Sequence, residues 1–483
     1  MSHQPLLQIS KLTVEVPDRT LYRDLSFSVG RGETVALVGG NGSGKSTLLK
    51  MVEAAVEGSI HAALDFEVTV NGSLFLSPGV SVASLPQTFT ASSREALSEG
   101  QRQKQAIAKL LERGADLFLF DEPTNYLDIA GIVAFEDAIL DLMHKDRGVV
   151  LVSHDRALIN NLALRTVYLT PHGVYQTKGG YASAQSLAQA SFEAKQSEAK
   201  NIRIKIGRLQ EEARRRMNWS AQKEKSKKGA GNEKPHIAKM AAKMASRAKA
   251  AQKMAEKEIE KLQAAKPFVP KQVMLRLPQY QVRRRTVFSL ENVSFAYNRD
   301  SERNILSEVS LAADTNERIC LMGANGAGKS TLLKLITGDL DPTVGRARRN
   351  ENVKVRTLPQ GLRGFFAGPT LLDDFAEVIA DEATVRTQLG GVMIRGEKAR
   401  QSVDTLSPGE LARAALVKCM LQGAEFLLFD EPTSHLDIES VEVLERALRE
   451  FPGGYLIVSH DRAFVEQAAD QLYVIEEGRL KMA

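Results

Sequence analysis

Two stretches of this 483-residue chain crowd glycines around a lysine and a hydroxyl. One is Gly39, Gly40, Asn41, Gly42, Ser43, Gly44, Lys45, Ser46 and Thr47; the other is Gly323, Ala324, Asn325, Gly326, Ala327, Gly328, Lys329, Ser330 and Thr331. Each follows an apolar run of strand character, Val35 to Val38 or Arg318 to Met322, and opens a helical pattern. Glycines there let successive backbone N–H groups converge on an anion, and the helix N-terminus adds partial positive charge. The lysine then reaches the outer phosphates of a nucleoside triphosphate. The expected ligand is ATP, with Ser46 and Ser330 supplying a hydroxyl to Mg²⁺.

A second group of residues supplies chemistry on that phosphate. Asp121 and Asp430 close apolar strands and are expected to hold Mg²⁺. Glu122 and Glu431 follow at once, placed to polarise an attacking water. His154 and His460 come after further buried-strand runs, in position to contact the γ-phosphate; Gln87 and Gln360 are assigned to the metal and the water. Ser98-Glu-Gly-Gln101 and Ser407-Pro-Gly-Glu410 are capping boxes that start helices. With Gly100 and Gly409 behind the serines, such helix starts are also anion sites for a phosphate presented from elsewhere in the chain.

All these elements occur twice and in the same order, so the chain holds one α/β domain in two copies. Lys45 and Lys329 are 284 residues apart, whereas Asp121 and Asp430, like Ser98 and Ser407, are 309 apart. The difference falls between Gln and Ser: 11 residues from Gln87 to Ser98, but 47 from Gln360 to Ser407. The first copy lacks most of a subdomain that the second retains. The boundaries read from sequence are 5–185 for the first domain, 186–285 for a linker and 286–483 for the second domain.

The linker carries the charge. Residues 186–285 hold 26 Lys and Arg against 9 Glu and no Asp, a net +17, while the whole chain is only +5. Ile202, Ile206, Leu209, Ala213 and Met217 make one helical stripe. Ile237, Met240, Met244, Ala248, Ala251, Met254, Ile259 and Leu262 make another, after a break at Lys227 to Asn232 and Pro235. Two narrow stripes joined by a polar turn predict an antiparallel helical hairpin, each helix reaching on the order of 50 Å. Its charge implies an anionic partner. Trp219, the chain's one tryptophan, lies near the turn, where it either stacks on a base or packs in the seam. No apolar run approaches the ~20 residues of a membrane span. No signal-peptide pattern opens the chain, and Cys320 and Cys419 sit in core-like segments, so a reducing, cytoplasmic setting is expected.

These motifs resemble those of the ATP-binding-cassette superfamily over residues 5–185 and 286–483. The fold implied is two tandem P-loop nucleotide-binding domains joined by a long antiparallel helical hairpin. The resemblance implies a monomer with an intramolecular cassette dimer around two ATPs. Site one would pair Gly39 to Thr47, Glu122 and His154 with Ser407 and Gly409. Site two would pair Gly323 to Thr331, Glu431 and His460 with Ser98 and Gly100. Tyr297 stands where the superfamily stacks adenine, or is only a strand residue; the matching position of the first half is Val16. A transporter subunit is the first rival, but the shortened first copy leaves little to grip a membrane partner. The versions Asp-Glu-Pro-Thr-Asn-Tyr-Leu-Asp128 and Asp-Glu-Pro-Thr-Ser-His-Leu-Asp437 are similar to those of the ABC-F group. That resemblance implies a ribosome partner, with the basic hairpin at the tRNA exit site against rRNA and P-site tRNA. General translation factors of that group usually carry an arm inserted in the first cassette, and the shortened first cassette here looks more like the antibiotic-resistance branch; a general translation or stalled-ribosome factor is the alternative.

Overall fold

The computed structural model describes residues 4–17, 19–57, 68–86, 98–170, 173–225, 234–265, 280–298, 304–359, 361–434 and 436–483. The first cassette runs β1 (Leu7–Val16), β2 (Arg19–Val29), β3 (Thr34–Gly39), α1 (Lys45–Glu57), β4 (Thr69–Leu76) and β5 (Val82–Leu85). It continues with α2 (Glu99–Leu111), β6 (Leu117–Asp121), α3 (Ile129–His144), β7 (Gly148–Val152), α4 (Arg156–Leu162), β8 (Arg165–Thr170) and β9 (Gly173–Lys178). Then come the linker helices α5 (Tyr181–Lys225) and α6 (Lys234–Ala265). The second cassette begins with β10 (Thr286–Phe295), β11 (Leu306–Asp314), β12 (Arg318–Gly323), α7 (Lys329–Thr337), β13 (Val344–Arg349) and β14 (Val355–Leu358). It ends with α8 (Leu371–Ala376), α9 (Glu382–Gly391), α10 (Pro408–Leu421), β15 (Phe426–Asp430), α11 (Ile438–Glu450), β16 (Gly454–Val458), α12 (Arg462–Ala468), β17 (Gln471–Glu476) and β18 (Arg479–Met482).

Each cassette is built on a six-stranded sheet, ordered β5-β6-β7-β3-β8-β9 in the first and β14-β15-β16-β12-β17-β18 in the second. All neighbours in both sheets are parallel except the final pairs β8–β9 and β17–β18. Parallel strands covered on both faces are apolar throughout, as in Leu117-Phe-Leu-Phe120 and Gly148-Val-Val-Leu-Val152, every residue of which is buried. One face packs on α1 and the small antiparallel sheet β2-β1-β4, the other on α2, α3 and α4. Because β6, β7 and β3 are neighbours, their C-terminal ends open side by side, where open α/β sheets bind ligands.

The lost subdomain changes one helix visibly. In the second cassette α8 and α9 cover α10, and residues Gly409 through Met420 are all buried. In the first, α2 buries only Gln103, Ile107 and Leu110, and its sequence Glu-Gly-Gln-Arg-Gln-Lys-Gln is correspondingly polar.

The hairpin is a unit of its own, 185–272, against a unit of 1–184 with 273–483. Residues 280–285, assigned to the linker from their charge, run along the second cassette: Tyr280 donates to Ala424 O and Arg285 N–H donates to Thr315 Oγ1 at 3.1 Å. Within the hairpin, α5 and α6 meet at the Lys205–Glu258 ion pair, 3.9 Å, and share a groove lined by Ala213, Ala255 and Ile259. Ile202, Ile206, Leu209 and Ala213 are half-buried as the stripe predicts. On α6 the seam runs Gln252, Ala255, Ile259 and Leu262, and Met254 is 75% exposed. One residue turns a helix by about 100°, so Met254 cannot share the face of Ala255. The side chains of Met217, Ile237, Met240, Met244, Ala248 and Ala251 lie outside the described residues.

Candidate functional site

The first glycine-rich loop leaves β3 at Gly39 and re-enters helix at Lys45. Lys45 Nζ donates back to Gly39 O (2.7 Å) and Gly40 O (3.0 Å), which pins the loop around its own lysine. Lys329 repeats this with Gly323 O (2.8 Å) and Ala324 O (3.0 Å), and lies 3.0 Å from His460 Nε2. Gly42, Gly44, Gly326 and Gly328 have positive φ, which is what turns the loop amides inward. Burial lowers the pKa of both lysines, opposed first by Glu122 at Lys45 and by Glu431 at Lys329.

Glu122 and Glu431 begin where β6 and β15 end, and both adopt left-handed backbone, φ 52° and 53°. A non-glycine residue held so is strained by about 1–3 kcal/mol, a cost found where function needs a side chain aimed. Each is pinned by its own N–H, to Val152 O (2.9 Å) and Val458 O (3.0 Å). Burial pushes Glu122 up to about 8 and Glu431 to about 7. It pushes His154 down to about 3 and His460 to about 4, helped by the neighbouring lysines. His154 Nε2 stands 3.2 Å from Glu122 Oε1, and His460 Nε2 the same from Glu431 Oε1. With neutral imidazoles, these are contacts of position and not charged pairs.

The oxygens expected to hold Mg²⁺ fit such an ion. Ser330 Oγ donates to Asp430 Oδ2 at 2.9 Å, and Asp121 Oδ1 is buried without a hydrogen-bond partner. Burial raises the Asp121 pKa while the Ser46 hydroxyl opposes that. A hard cation takes six oxygens, and among the described residues no group of three or more His, Cys, Asp or Glu could hold a metal. Phosphate and water must complete the shell. Gln87 and Gln360 lie outside the described residues.

Beside the first loop is a cavity of about 430 Å³, lined by Val16, Pro17, Arg19 and Leu21 on one side and by Lys45, Ser46, Asp121, Glu122 and His154 on the other. Arg19 Nη2 donates to Gly42 O at 3.1 Å. In the second cassette Tyr297, 63% exposed, places its hydroxyl 3.2 Å from Thr331 Oγ1.

The two cassettes meet across their loops. Asn41 N–H donates to Asp437 Oδ2 at 2.8 Å, and Asn325 Nδ2 donates to Tyr126 O at 3.1 Å. Ser98 and Ser407 cap α2 and α10 with complete capping boxes. A Cβ at Gly100 would lie 2.5 Å from Tyr126 O, so only glycine lets the start of α2 pack against the Tyr126 backbone, whose carbonyl in turn accepts from Asn325 of the second loop. Gly409 packs instead on Ser440, beside Asp437. A cavity of about 660 Å³ joins Asn41, Glu122 and His154 to Asn325, Glu431 and His460, with Gly100 and Pro408 on its wall. Buried Arg156 forks onto Glu445 of the opposite cassette, and Arg462 reaches Glu136 the other way. Sequence reasoning passed over Tyr126, Asp437, Arg156 and Arg462, although each lies in a segment that the repeat marks in both halves.

Comparison with known proteins agrees with this architecture. Residues 22–73 and 306–434 match the family model described as ABC transporter. The chain is 28% identical over 552 aligned residues to ATP-binding cassette sub-family F member 3 of Mus musculus, covering 98% of this chain and 71% of the relative. It is 26% identical to the putative ATP-binding protein YdiF of Bacillus subtilis, covering 99% and 81%. Among solved structures it resembles an RNase-L inhibitor with TM-score 0.61 at 20% identity, over 97% of this chain and 89% of that one. An archaeal ribosome recycling factor, solved with a ribosomal stalk protein, gives TM-score 0.60 at 20% identity, over 95% and 87%. Among the described residues no helix is long and apolar enough to cross a membrane.

Proposed function

The chain belongs to the ABC-F family of ATP-binding-cassette proteins, and from that premise we propose that it hydrolyses ATP at two composite sites and thereby controls ribosome binding by its basic hairpin. The observation that carries this reading is the reciprocal contact of each phosphate loop with the opposite cassette, Asn41 with Asp437 and Asn325 with Tyr126.

The residues divide the work as follows. Backbone N–H groups of the loops, with Lys45 and Lys329, bind and orient the phosphates. Ser46 with Asp121, and Ser330 with Asp430, would hold Mg²⁺, which neutralises charge on the phosphates. Glu122 and Glu431, deprotonated, take a proton from the attacking water, and the neutral imidazoles of His154 and His460 orient the γ-phosphate. Ser98 and Gly100 close over site two, Ser407 and Gly409 over site one. Tyr297 stacks on adenine at site two.

The hairpin unit, 185–272, with 22 Lys and Arg against 9 Glu and so +13, is held on rRNA by phosphate contacts and counter-ion release. In the more specific form of the proposal it enters the tRNA exit site and dislodges drugs from the peptidyl-transferase centre. A general translation-factor role is the second reading, favoured by relatives as widely spread as mouse and Bacillus. A solved protein of the same fold is a ribosome recycling factor, which supports a ribosomal setting for either reading. The test is co-sedimentation of the Glu122→Gln, Glu431→Gln double variant with ribosomes. Retention in ATP and loss in ADP is expected; no ribosome binding in either nucleotide, with recovery in the membrane fraction, returns the chain to the transporter-subunit class.

A further inference from the structure

The two composite sites are near-copies, yet among the described residues hydrogen bonds lead from only one of them to the start of the linker helix α5. Asp437, which accepts from Asn41 N–H of the first phosphate loop, is also the N-cap of α11 through Ser440 N–H, 2.9 Å. Two residues on, Glu439 accepts from the Tyr168 hydroxyl at 3.3 Å; its carboxylate also lies 3.9 Å from where a Gly40 Cβ would be. The next turn brings Glu442, which accepts from the Tyr181 hydroxyl at 2.8 Å. The two tyrosine rings, both buried, meet edge to face at 6.0 Å. Tyr168 lies on β8 in register with Val38, the residue before the first phosphate loop, and Tyr181 is the first residue of α5, the 45-residue helix that becomes the hairpin.

The repeat provides the control. Val474 holds the register position of Tyr168, opposite Met322 on β12. Ala130 and Val133 stand at the α3 positions equivalent to Glu439 and Glu442. None has a polar side-chain atom, so the second site cannot form these hydrogen bonds.

We propose that Glu439, Glu442, Tyr168 and Tyr181 are positioning residues that couple occupancy of ATP site one, and not of site two, to the orientation of the hairpin. The inference rests on the site reading above and deepens it. Phosphate oxygens entering the first loop compete with Asp437 for the Asn41 N–H and repel the carboxylates of Asp437 and Glu439. The start of α11 must then shift against the loop, and two half-buried hydroxyl–carboxylate bonds, with the ring contact between Tyr168 and Tyr181, carry that shift to Tyr181. A ligand moves a two-state equilibrium only by its differential affinity for the states, and these contacts give ATP at site one such a difference.

The experiment places spin labels at Glu212→Cys on the hairpin and Glu351→Cys on the second cassette, both exposed, while native Cys320 and Cys419 are buried. Full-length protein carrying Lys329→Ala and Glu122→Gln holds ATP at site one alone; Lys45→Ala with Glu431→Gln holds it at site two alone. ATP should shift the label–label distance in the first form and leave it in place in the second. Adding Tyr181→Phe to the first form should abolish the shift. Glu442→Gln, which keeps an oxygen acceptor for Tyr181, should retain it, and Glu442→Leu should lose it. A shift of equal size from site two, or an undiminished shift in Tyr181→Phe, overturns the proposal. ATP stoichiometry is read on the same samples. If neither lysine variant lowers it from two to one, the assignment of the sites fails, independently of the relay.

Discussion

Asn41 and Asp437, 396 residues apart in sequence, are joined across the cassette interface by a backbone N–H to carboxylate hydrogen bond of 2.8 Å. The same carboxylate caps α11, so one side chain anchors a helix in the second cassette and a phosphate loop in the first. Asp437→Asn keeps the cap and an acceptor but removes a negative charge facing the incoming phosphates. ATP affinity at site one should rise in this variant, measured by nucleotide titration with Lys329→Ala silencing site two. Asp437→Ala also loses the cap and should destabilise the protein by about 1 kcal/mol in denaturant unfolding.

The strained glutamates invite the most direct test. Glu122 and Glu431 keep left-handed backbone at both sites, so replacing the carboxylate while preserving the shape isolates the chemistry. The double Glu→Gln variant should bind ATP with little change and lose about 10²–10⁴-fold in kcat, read by phosphate release. Near-normal turnover would remove both residues from the catalytic role.

The pH profile follows from the same burial. A general base works deprotonated, and burial holds Glu431 at about 7 and Glu122 at about 8. The working fraction therefore grows as pH rises, at site two first. Because kcat/KM reports groups of the free enzyme, it should climb through pH 7–8. Glu122→Gln should remove the upper part of the rise, and Glu431→Gln the lower. The histidines, at about 3 and 4, stay neutral over this range and add no limb to the curve.

How much of this was legible depends on whether a residue's role repeats. The phosphate loops, Asp121 and Asp430, and the glutamates and histidines after them stand in both halves, and the structure brings each set together at adjacent strand ends. The polar face of α2 follows from the missing subdomain, which the spacing from Gln87 to Ser98 already reveals. Arg156 and Arg462 also repeat, but a sequence cannot say that an arginine on one domain meets Glu445 or Glu136 on the other. Tyr168 and Tyr181 have no counterpart in the second cassette, and their partners lie 271 and 261 residues away. Met254 was misplaced because a stripe rich in methionine and alanine fits more than one helical face.

Arg156 and Glu445 are both buried, at 11% and 5% side-chain exposure. Removing one partner of such a pair strands a charge, at a cost of about 3–5 kcal/mol, while removing both is often nearly neutral. Arg156→Leu should thus weaken ATP-dependent cassette closure far more than Arg156→Leu with Glu445→Leu. Spin-label distances across the interface, together with thermal unfolding of each variant, form the cycle. Additive losses would show that the pair makes no joint contribution.

The hairpin tip separates drug protection from a general translation role. Trp219 is 56% exposed near the C-terminal end of α5, which closes at Lys225. Replacing residues 217–235 by a short Gly-Ser turn keeps most of the basic residues of both helices, which are the proposed anchors to rRNA. It also leaves untouched the loops, Asp121, Glu122, Asp430 and Glu431, none of which lies in the exchanged segment. The variant should therefore still co-sediment with ribosomes in ATP and hydrolyse ATP within about twofold of wild type, because rRNA attachment grows with the number of phosphate contacts retained. What it loses is reach and an aromatic surface for stacking, worth about 1–3 kcal/mol per base. Protection against drugs at the peptidyl-transferase centre should then collapse, measured as inhibitory concentrations of lincosamides, pleuromutilins and streptogramin A in a sensitive bacterial host. If wild type raises none of those concentrations, the resistance reading fails and the general factor takes its place. If the loop variant protects as well as wild type, the tip is not the effector. Trp219→Ala within the intact loop then distinguishes stacking from length: a selective loss of protection, with ribosome binding preserved, assigns the effect to the indole.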